Sequence, residues 1–264
     1  MKNQQINMVE MIDWAVGDAP LAGAAFSGAG LAAAIGNFDG VHRGHQTVVA
    51  AAAAAARRDG LLPSVITFDP HPREFFRQDE APFYLADRRE KDRLLVGLLG
   101  QMGPARVIHI WFDDALRSTG ANQFVSEILA GLGVSQLYAG TDFAFGKGRG
   151  GDLQTINHVG KPFGISATAV PLLVDANTAV ISSSRIRAAL QQARLVLPLR
   201  CLAMIGQFPV PSSGVTPAGA PSAFQPPISR LDRCSIPLLG SMRLKLILMM
   251  AQVLFARLAM VLPI

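Results

Sequence analysis

Residues 1–190 of this 264-residue sequence contain no cysteine; the two present, Cys201 and Cys234, lie beyond them. This excludes a disulfide frame and a cysteine-based zinc site from the longer part of the chain. An excess of positive charge is missing there too. Residues 191–264 hold seven Lys/Arg and one acid, Asp232, which leaves 17 bases and 18 acids in residues 1–190. The overall net charge of +5 is therefore no sign of a nucleic-acid face, and none is expected. The N-terminus, MKNQQINMVEMIDW, lacks the basic start and apolar stretch of a signal peptide, so a cytoplasmic protein is the expectation. An unbroken apolar run is also lacking. The most apolar stretch, residues 244–264, is interrupted by Lys245, Gln252 and Arg257. A membrane helix needs roughly 20 mostly apolar residues, so an amphipathic tail fits it at least as well, and a membrane protein is not expected. There is no internal repeat, and nothing in the sequence sets an oligomeric state.

Half of the residues are apolar, enough for a sizeable core. Short apolar runs at 31–35, 63–68, 106–110, 134–139 and 166–171 read as strands. Between them, 46–58, 86–100 and 121–132 read as helices, and 184–192 as a final short one. Alternation of this kind predicts an α/β fold with a parallel sheet covered on both faces, and ligands at the carboxyl ends of its strands. Near residue 191 the character changes. Nine of the 17 prolines fall in 191–264, and residues 210–227 read as a linker. Two parts are therefore expected, 1–190 as a folded domain and 191–264 as an irregular tail.

The most informative segment is Gly36 to His45, GNFDGVHRGH, between the strand at 31–35 and the helix from 46. A strand-to-helix turn collects anions, because free N–H groups and the helix dipole point outward there. The i, i+3 spacing of His42 and His45 puts both rings on one face of the first helical turn, and Gly44 between them allows close approach of a ligand to the backbone. Stabilisation of charge on a reacting phosphate is one reading; a pair of structural histidines, or half of a metal site completed by His71, are the others.

Three further segments carry weight. Ile181 to Arg187, ISSSRIR, places three hydroxyls before a short helix, either as a plain N-cap or as a polyphosphate grip closed by Arg187. In residues 140–152, GTDFAFGKGRGGD, Gly146, Gly148 and Gly151 formally match GxGxxG, but Asp152-Leu153-Gln154 starts no long helix. A flexible loop with Phe143 and Phe145 suits a planar ligand better; the bland alternative is a surface loop with two core phenylalanines. Thr67 to Pro72, TFDPHP, is a rigid turn at the end of the second strand, either only a turn or a wall of the same site.

Together and in this order the motifs resemble the FMN adenylyltransferase (FAD synthetase) module of bacterial bifunctional riboflavin kinase/FAD synthetases. The matching residues are GNFDGVHRGHQ at 36–46, TFDPHPREFF at 67–76, FVSEIL at 124–129, GTDFAFGKGRGGD at 140–152 and ISSSRIR at 181–187. The resemblance implies a Rossmann-like nucleotidylyltransferase (HxGH) fold and transfer of AMP from ATP to FMN. It implies that His42, His45 and Asn37 act in catalysis. Gly36, Phe38, Asp39, Gly44, Ser182, Ser183, Ser184 and Arg187 would bind ATP, and Asp142, Phe143 and Phe145 the flavin. Mg²⁺ would accompany the ATP, with no dedicated protein metal site. The usual ISST is ISSS here, and Ser184 keeps the hydroxyl. Members of this kind continue into a riboflavin kinase barrel with a GFPTAN-like motif. No such motif follows residue 190, so riboflavin kinase activity is not expected of this sequence. A nucleotidylyltransferase for another phosphorylated acceptor, or a non-catalytic flavin/ATP-binding remnant, are the competing readings.

Overall fold

The structure, a computed structural model, describes residues 9–21, 30–76 and 84–192. Strand β2 (Leu31–Ile35) reads LAAAI and is buried along its whole length. A strand with no polar face belongs inside a parallel sheet covered on both sides. Six parallel strands form that sheet: β1 (Val9–Trp14), β2, β3 (Leu62–Asp69), β4 (Ala105–Trp111), β5 (Val134–Gly140) and β6 (Ser166–Val170), in the order β1-β4-β3-β2-β5-β6. Alternate residues of β2 feed opposite cores. Leu31, Ala33 and Ile35 pack with Ile66, Ile108, Phe124, Leu129 and Leu137; Ala32 and Ala34 pack with Val65, Val107, Ala52, Leu95 and Leu99.

Helix α1 (Arg43–Asp59) lies against β2, β3 and β5 through small side chains, with Ala52, Ala53, Ala55 and Ala56 buried. It ends at Gly60 in the left-handed conformation, as Arg57, Arg58 and Gly60 predict. It starts at Arg43, three residues before the expected 46, because His42 is its N-cap and Gly44 disguises the first turn. Helix α2 (Pro72–Phe76) follows β3, α3 (Arg88–Leu99) precedes β4, and α4 (Asp114–Ser118) follows it. The expected helix at 121–132 is α5 (Ala121–Gln123) running into a π-helical stretch, Phe124–Leu129. Helix α6 (Leu153–Val159) is short and closed by a capping box between Asp152 and Thr155, and α7 (Ser183–Gln191) completes the fold.

The expected α/β architecture is present. Strand β1 and helices α2, α4 and α6 were not expected from the sequence. The tail read at 191–264 lies, from residue 193 onward, outside the described residues, as do both cysteines. No helix among the described residues is long and apolar enough to cross a membrane.

Strand order reverses at β2. From there the chain proceeds to β3 and β4 on one side and to β5 and β6 on the other. A parallel sheet opens a crevice at such a switch point, beyond the carboxyl ends of the strands. The segment after β2 is GNFDGVHRGH, and the one after β5 is TDFAFGKGRGG. Topology alone thus brings two motifs, a hundred residues apart in sequence, to one crevice.

Candidate nucleotide site

A cavity of about 1080 Å³ fills this crevice, lined among others by Gly36, Asn37, Phe38, His42, Gly44, His45, Asp142, Phe143, Phe145, Ser182, Ser183, Ser184 and Arg187. Of the residues expected at the site, Asp39 is the one that does not line it. Phe68, His71, Arg73, Phe112, Arg117, Lys147 and Arg149 complete much of the wall. Phe68, His71, Arg73, Lys147 and Arg149 belong to the segments 67–76 and 140–152 already singled out in the sequence; Phe112 and Arg117 carried no sequence signal, because an isolated Arg or Phe in a loop reads as solvated or as core.

One end of the cavity is built from helix N-termini. His42 caps α1, its Nδ1 accepting the His45 backbone N–H at 3.3 Å. A neutral His42 therefore carries its proton on Nε2. The two imidazoles are stacked, 3.6 Å between centroids and 18° between planes, and the ring of Phe38 meets His45 edge-on at 5.2 Å. A Cβ on Gly44 would sit 3.2 Å from both the His42 ring and the Ile181 carbonyl oxygen. Glycine there lets the first turn of α1 lie against the chain that enters α7. Ser182 caps α7 by accepting the Arg185 N–H at 3.3 Å, so the plain capping role is real. Both helix starts thus face one space, and both present unpaired N–H groups and positive dipole ends.

The other hydroxyls also have partners. Ser183 donates to the Asp39 carbonyl at 3.0 Å, and Ser184 accepts from the Arg187 guanidinium at 3.2 Å. The two arginines of the motif differ. Arg185 is spent on Asp175 and on the carbonyls of Ala179 and Val180, whereas Arg187 lines the cavity and is paired with Asp39.

Burial and charge hold the histidines neutral. Desolvation, with a smaller push from Arg187, lowers His42 to about 4. His45 falls well below its usual value, first by burial and then by the proximity of His42, and its Nδ1 has no partner. His71, which accepts the Arg73 N–H, is lowered to about 4 by burial and by Arg187, Lys91 and Arg73. At neutral pH the ligand-free site therefore offers imidazole N–H dipoles rather than imidazolium charges. An anion brought to two stacked rings and two helix starts would supply the missing acceptor.

Aromatic rings line the cavity as well. Phe143 and Phe145 stack at 5.6 Å and 21°, and Phe145 tilts onto Phe124 at 5.0 Å. Phe145 is only 7% exposed and belongs to the core, so one part of the bland reading holds for it; Phe143 is more open. Phe68 and Phe112 also line the cavity and meet edge-on, and Phe75 meets Phe112 edge-on in turn. The glycine loop is packed rather than loose. Gly146, at φ +74°, has the Ala121 backbone 2.8 Å from where its Cβ would be, and Phe145 and Gly151 exchange backbone hydrogen bonds. The formal GxGxxG is thus a loop folded onto the start of α5, not a phosphate cradle at a long helix. Among the described residues no group of three or more His, Cys, Asp or Glu could hold a metal ion, so the half-metal-site reading of His42 and His45 with His71 has no geometry behind it.

A parallel sheet with its crevice at the switch point, stacked histidines at a helix start and a second helix start opposite define an α/β nucleotide-binding protein of the HxGH kind. The sequence model of the FAD synthetase family matches residues 27–185, and the chain belongs to that family. It is 40% identical over 174 residues to a bifunctional riboflavin kinase/FMN adenylyltransferase of Pseudomonas fluorescens, covering 66% of this chain and 54% of that protein. The corresponding Escherichia coli K12 protein is 36% identical over 164 residues, covering 62% and 51%. An FAD synthetase of Listeria monocytogenes is 36% identical over 155 residues, covering 58% and 61%. The chain spans about half the length of the bifunctional relatives it matches. Among solved structures, a Streptococcus pneumoniae protein described as a macrolide-efflux protein superposes with a TM-score of 0.59 at 22% identity, covering 74% of this chain and 71% of that one; this likeness concerns the fold alone.

Proposed function

We propose that this chain transfers the AMP unit of Mg-ATP to FMN, giving FAD and pyrophosphate. The reading rests on family membership and on one observation: a single cavity of about 1080 Å³ is lined both by two helix starts with a stacked histidine pair and by aromatic rings, among them Phe143 and Phe145. An oxygen of the FMN phosphate attacks the α-phosphorus of ATP. A new P–O bond forms, the bond to the bridging α,β-oxygen breaks, and pyrophosphate leaves with that electron pair. No side chain need become covalently attached; the task is positioning and charge stabilisation.

In this reading His42 and His45 donate N–H groups to the α-phosphoryl oxygens, and Asn37 assists from the same turn. Arg187 and the hydroxyls and N–H groups at the start of α7 hold the outer phosphates. Gly36, Phe38 and Gly44 shape the nucleotide side, and Asp142 and Phe143, backed by Phe145, face the flavin. Mg²⁺ belongs to the substrate: it keeps most of its ligands among phosphate oxygens and water. The reaction consumes ATP, so the reading carries a cytoplasmic location with it.

The test offers Mg-ATP with either riboflavin or FMN to the purified chain and separates the products by chromatography. FAD from FMN, and no FMN from riboflavin, is expected. A folded protein that makes no FAD from FMN overturns the proposal.

A further inference from the structure

Asp39 is 3% exposed and stands behind the cavity wall, not in it. Both carboxylate oxygens are engaged. Oδ1 accepts the backbone N–H groups of Leu85 and Ala86, at 2.9 and 3.2 Å, and Oδ2 accepts Nη1 of Arg187. Its main-chain carbonyl accepts the Ser183 hydroxyl. One residue therefore ties together the turn after β2, the chain that enters α3 and the first turn of α7. Three of its roughly four acceptor sites are taken, and the residue is not among those that line the cavity. Burial raises the Asp39 carboxyl while the two N–H groups and Arg187 pull it back, so the carboxylate is kept at a cost that packing alone does not explain.

The return lies in Arg187. Its guanidinium is gripped at two points, by Asp39 and by Ser184 Oγ, while it lines the anion-binding end. An arginine fixed before the ligand arrives loses little freedom on binding and presents its fork in one orientation. We propose that Asp39 is a positioning residue that acts on the bound nucleotide only through Arg187 and touches neither ATP nor FMN. The proposal rests on the reading above in taking the anion to be the ATP polyphosphate.

Asp39→Asn keeps the shape and an acceptor for Leu85 and Ala86 but removes the charge that holds Arg187. Mg-ATP affinity is measured by equilibrium calorimetry, and KM for FMN by FAD formation. Weakening of Mg-ATP binding by about tenfold, with KM for FMN changed less than about twofold, is expected. Asp39→Asn added to Arg187→Gln should cost less than about twofold more, because its only route to the nucleotide has gone. Wild-type ATP affinity in Asp39→Asn, or losses that multiply in the double variant, would overturn the proposal. Should Asp39→Asn not fold, Asp39→Ser, smaller and also uncharged, replaces it; it should weaken Mg-ATP binding in the wild type and cost less than about twofold more in Arg187→Gln, and equal weakening in both overturns the proposal. Binding and turnover also keep the two readings apart. A wild type that binds Mg-ATP but makes no FAD sinks the FMN reading while the cycle still decides on Asp39; one that does not bind Mg-ATP sinks both.

Discussion

Acidification should destabilise this protein well before its carboxylates titrate. His42 is 4% exposed and folds with a value near 4, against an ordinary 6.5. The folded pKa is depressed, so between these values the unfolded chain binds the proton and the folded chain does not; stability is present above about 6.5 and drains away as pH falls toward 4. From pH 7.5 to 5.0, His42 alone should remove about 2 kcal/mol. His71 shifts as far but is less buried, so it removes somewhat less, and His45 acts in the same direction. Asp39 works the other way: its raised folded carboxyl takes up a proton sooner than the unfolded one, which returns some stability in more acid solution. Against a total of about 5–15 kcal/mol, the histidine loss is large. Urea unfolding at both pH values, followed by tryptophan fluorescence of buried Trp14, measures it. His42→Asn is the control, because asparagine is a good N-cap and can still accept the His45 N–H while nothing titrates. It should keep most of the stability at pH 7.5 and lose about 2 kcal/mol less than the wild type on going to pH 5.0. An unchanged urea midpoint between the two pH values, or the same pH loss in His42→Asn, would refute the assignment of neutral, desolvated imidazoles.

Three further outcomes are expected. His45→Ala should cut turnover by about 10²–10³-fold, the cost of one donor at a developing oxyanion, with unchanged circular dichroism; wild-type-like turnover would remove the ring from the chemistry. Gly44→Ala should raise KM for ATP about tenfold and cost about 1–2 kcal/mol of stability, because the new methyl presses on the His42 ring and the Ile181 carbonyl and parts the two helix starts; calorimetry and initial rates would show it, and no change in either would mean the contact is slack. A chain ending at residue 195 should retain adenylyl transfer, since the cavity is lined by residues from Ile35 to Arg187; loss of FAD formation in a soluble product would show that the remainder is required.

What could be read in the sequence was local. The LAAAI run, Gly60 after two arginines, and histidines three apart across a glycine each announce a strand, a helix end or a turn without reference to the rest of the chain. Strand β1 was missed although VEMIDW buries both its ends, because a six-residue strand at a sheet edge needs β4 beside it to be recognised. The π-helical stretch was missed because FVSEIL satisfies a 3.6-residue period as well as a wider one. The Asp39–Arg187 pair was hidden for a stronger reason. Its partners stand 148 residues apart, and each had a plausible nucleotide role alone. Only the fold shows that one occupies the other.

The GNFDGV turn shows why so few residues identify the site. Phe38, Gly40 and Val41 have φ of +50°, +77° and +40°. Only one of the three is glycine, and a β-branched residue such as Val41 is an outlier in that region. Each strained non-glycine costs on the order of 1–3 kcal/mol and persists only if its surroundings overdetermine it. They do. Gln46 donates to the Val41 carbonyl and Thr67 to the Asn37 carbonyl. Buried Lys91 in turn donates to Thr67, and Asp39 is held from three directions. The Phe38 and Val41 side chains are themselves buried, so apolar packing opposes relaxation. The strain has a visible product: Phe38 lies under the edge of His45, and the chain reaches His42 in the extended conformation that lets it cap α1. Replacing Lys91 with methionine should therefore loosen the turn from below and lower turnover without touching a substrate, an effect that hydrogen exchange at residues 37–41 would separate from global unfolding.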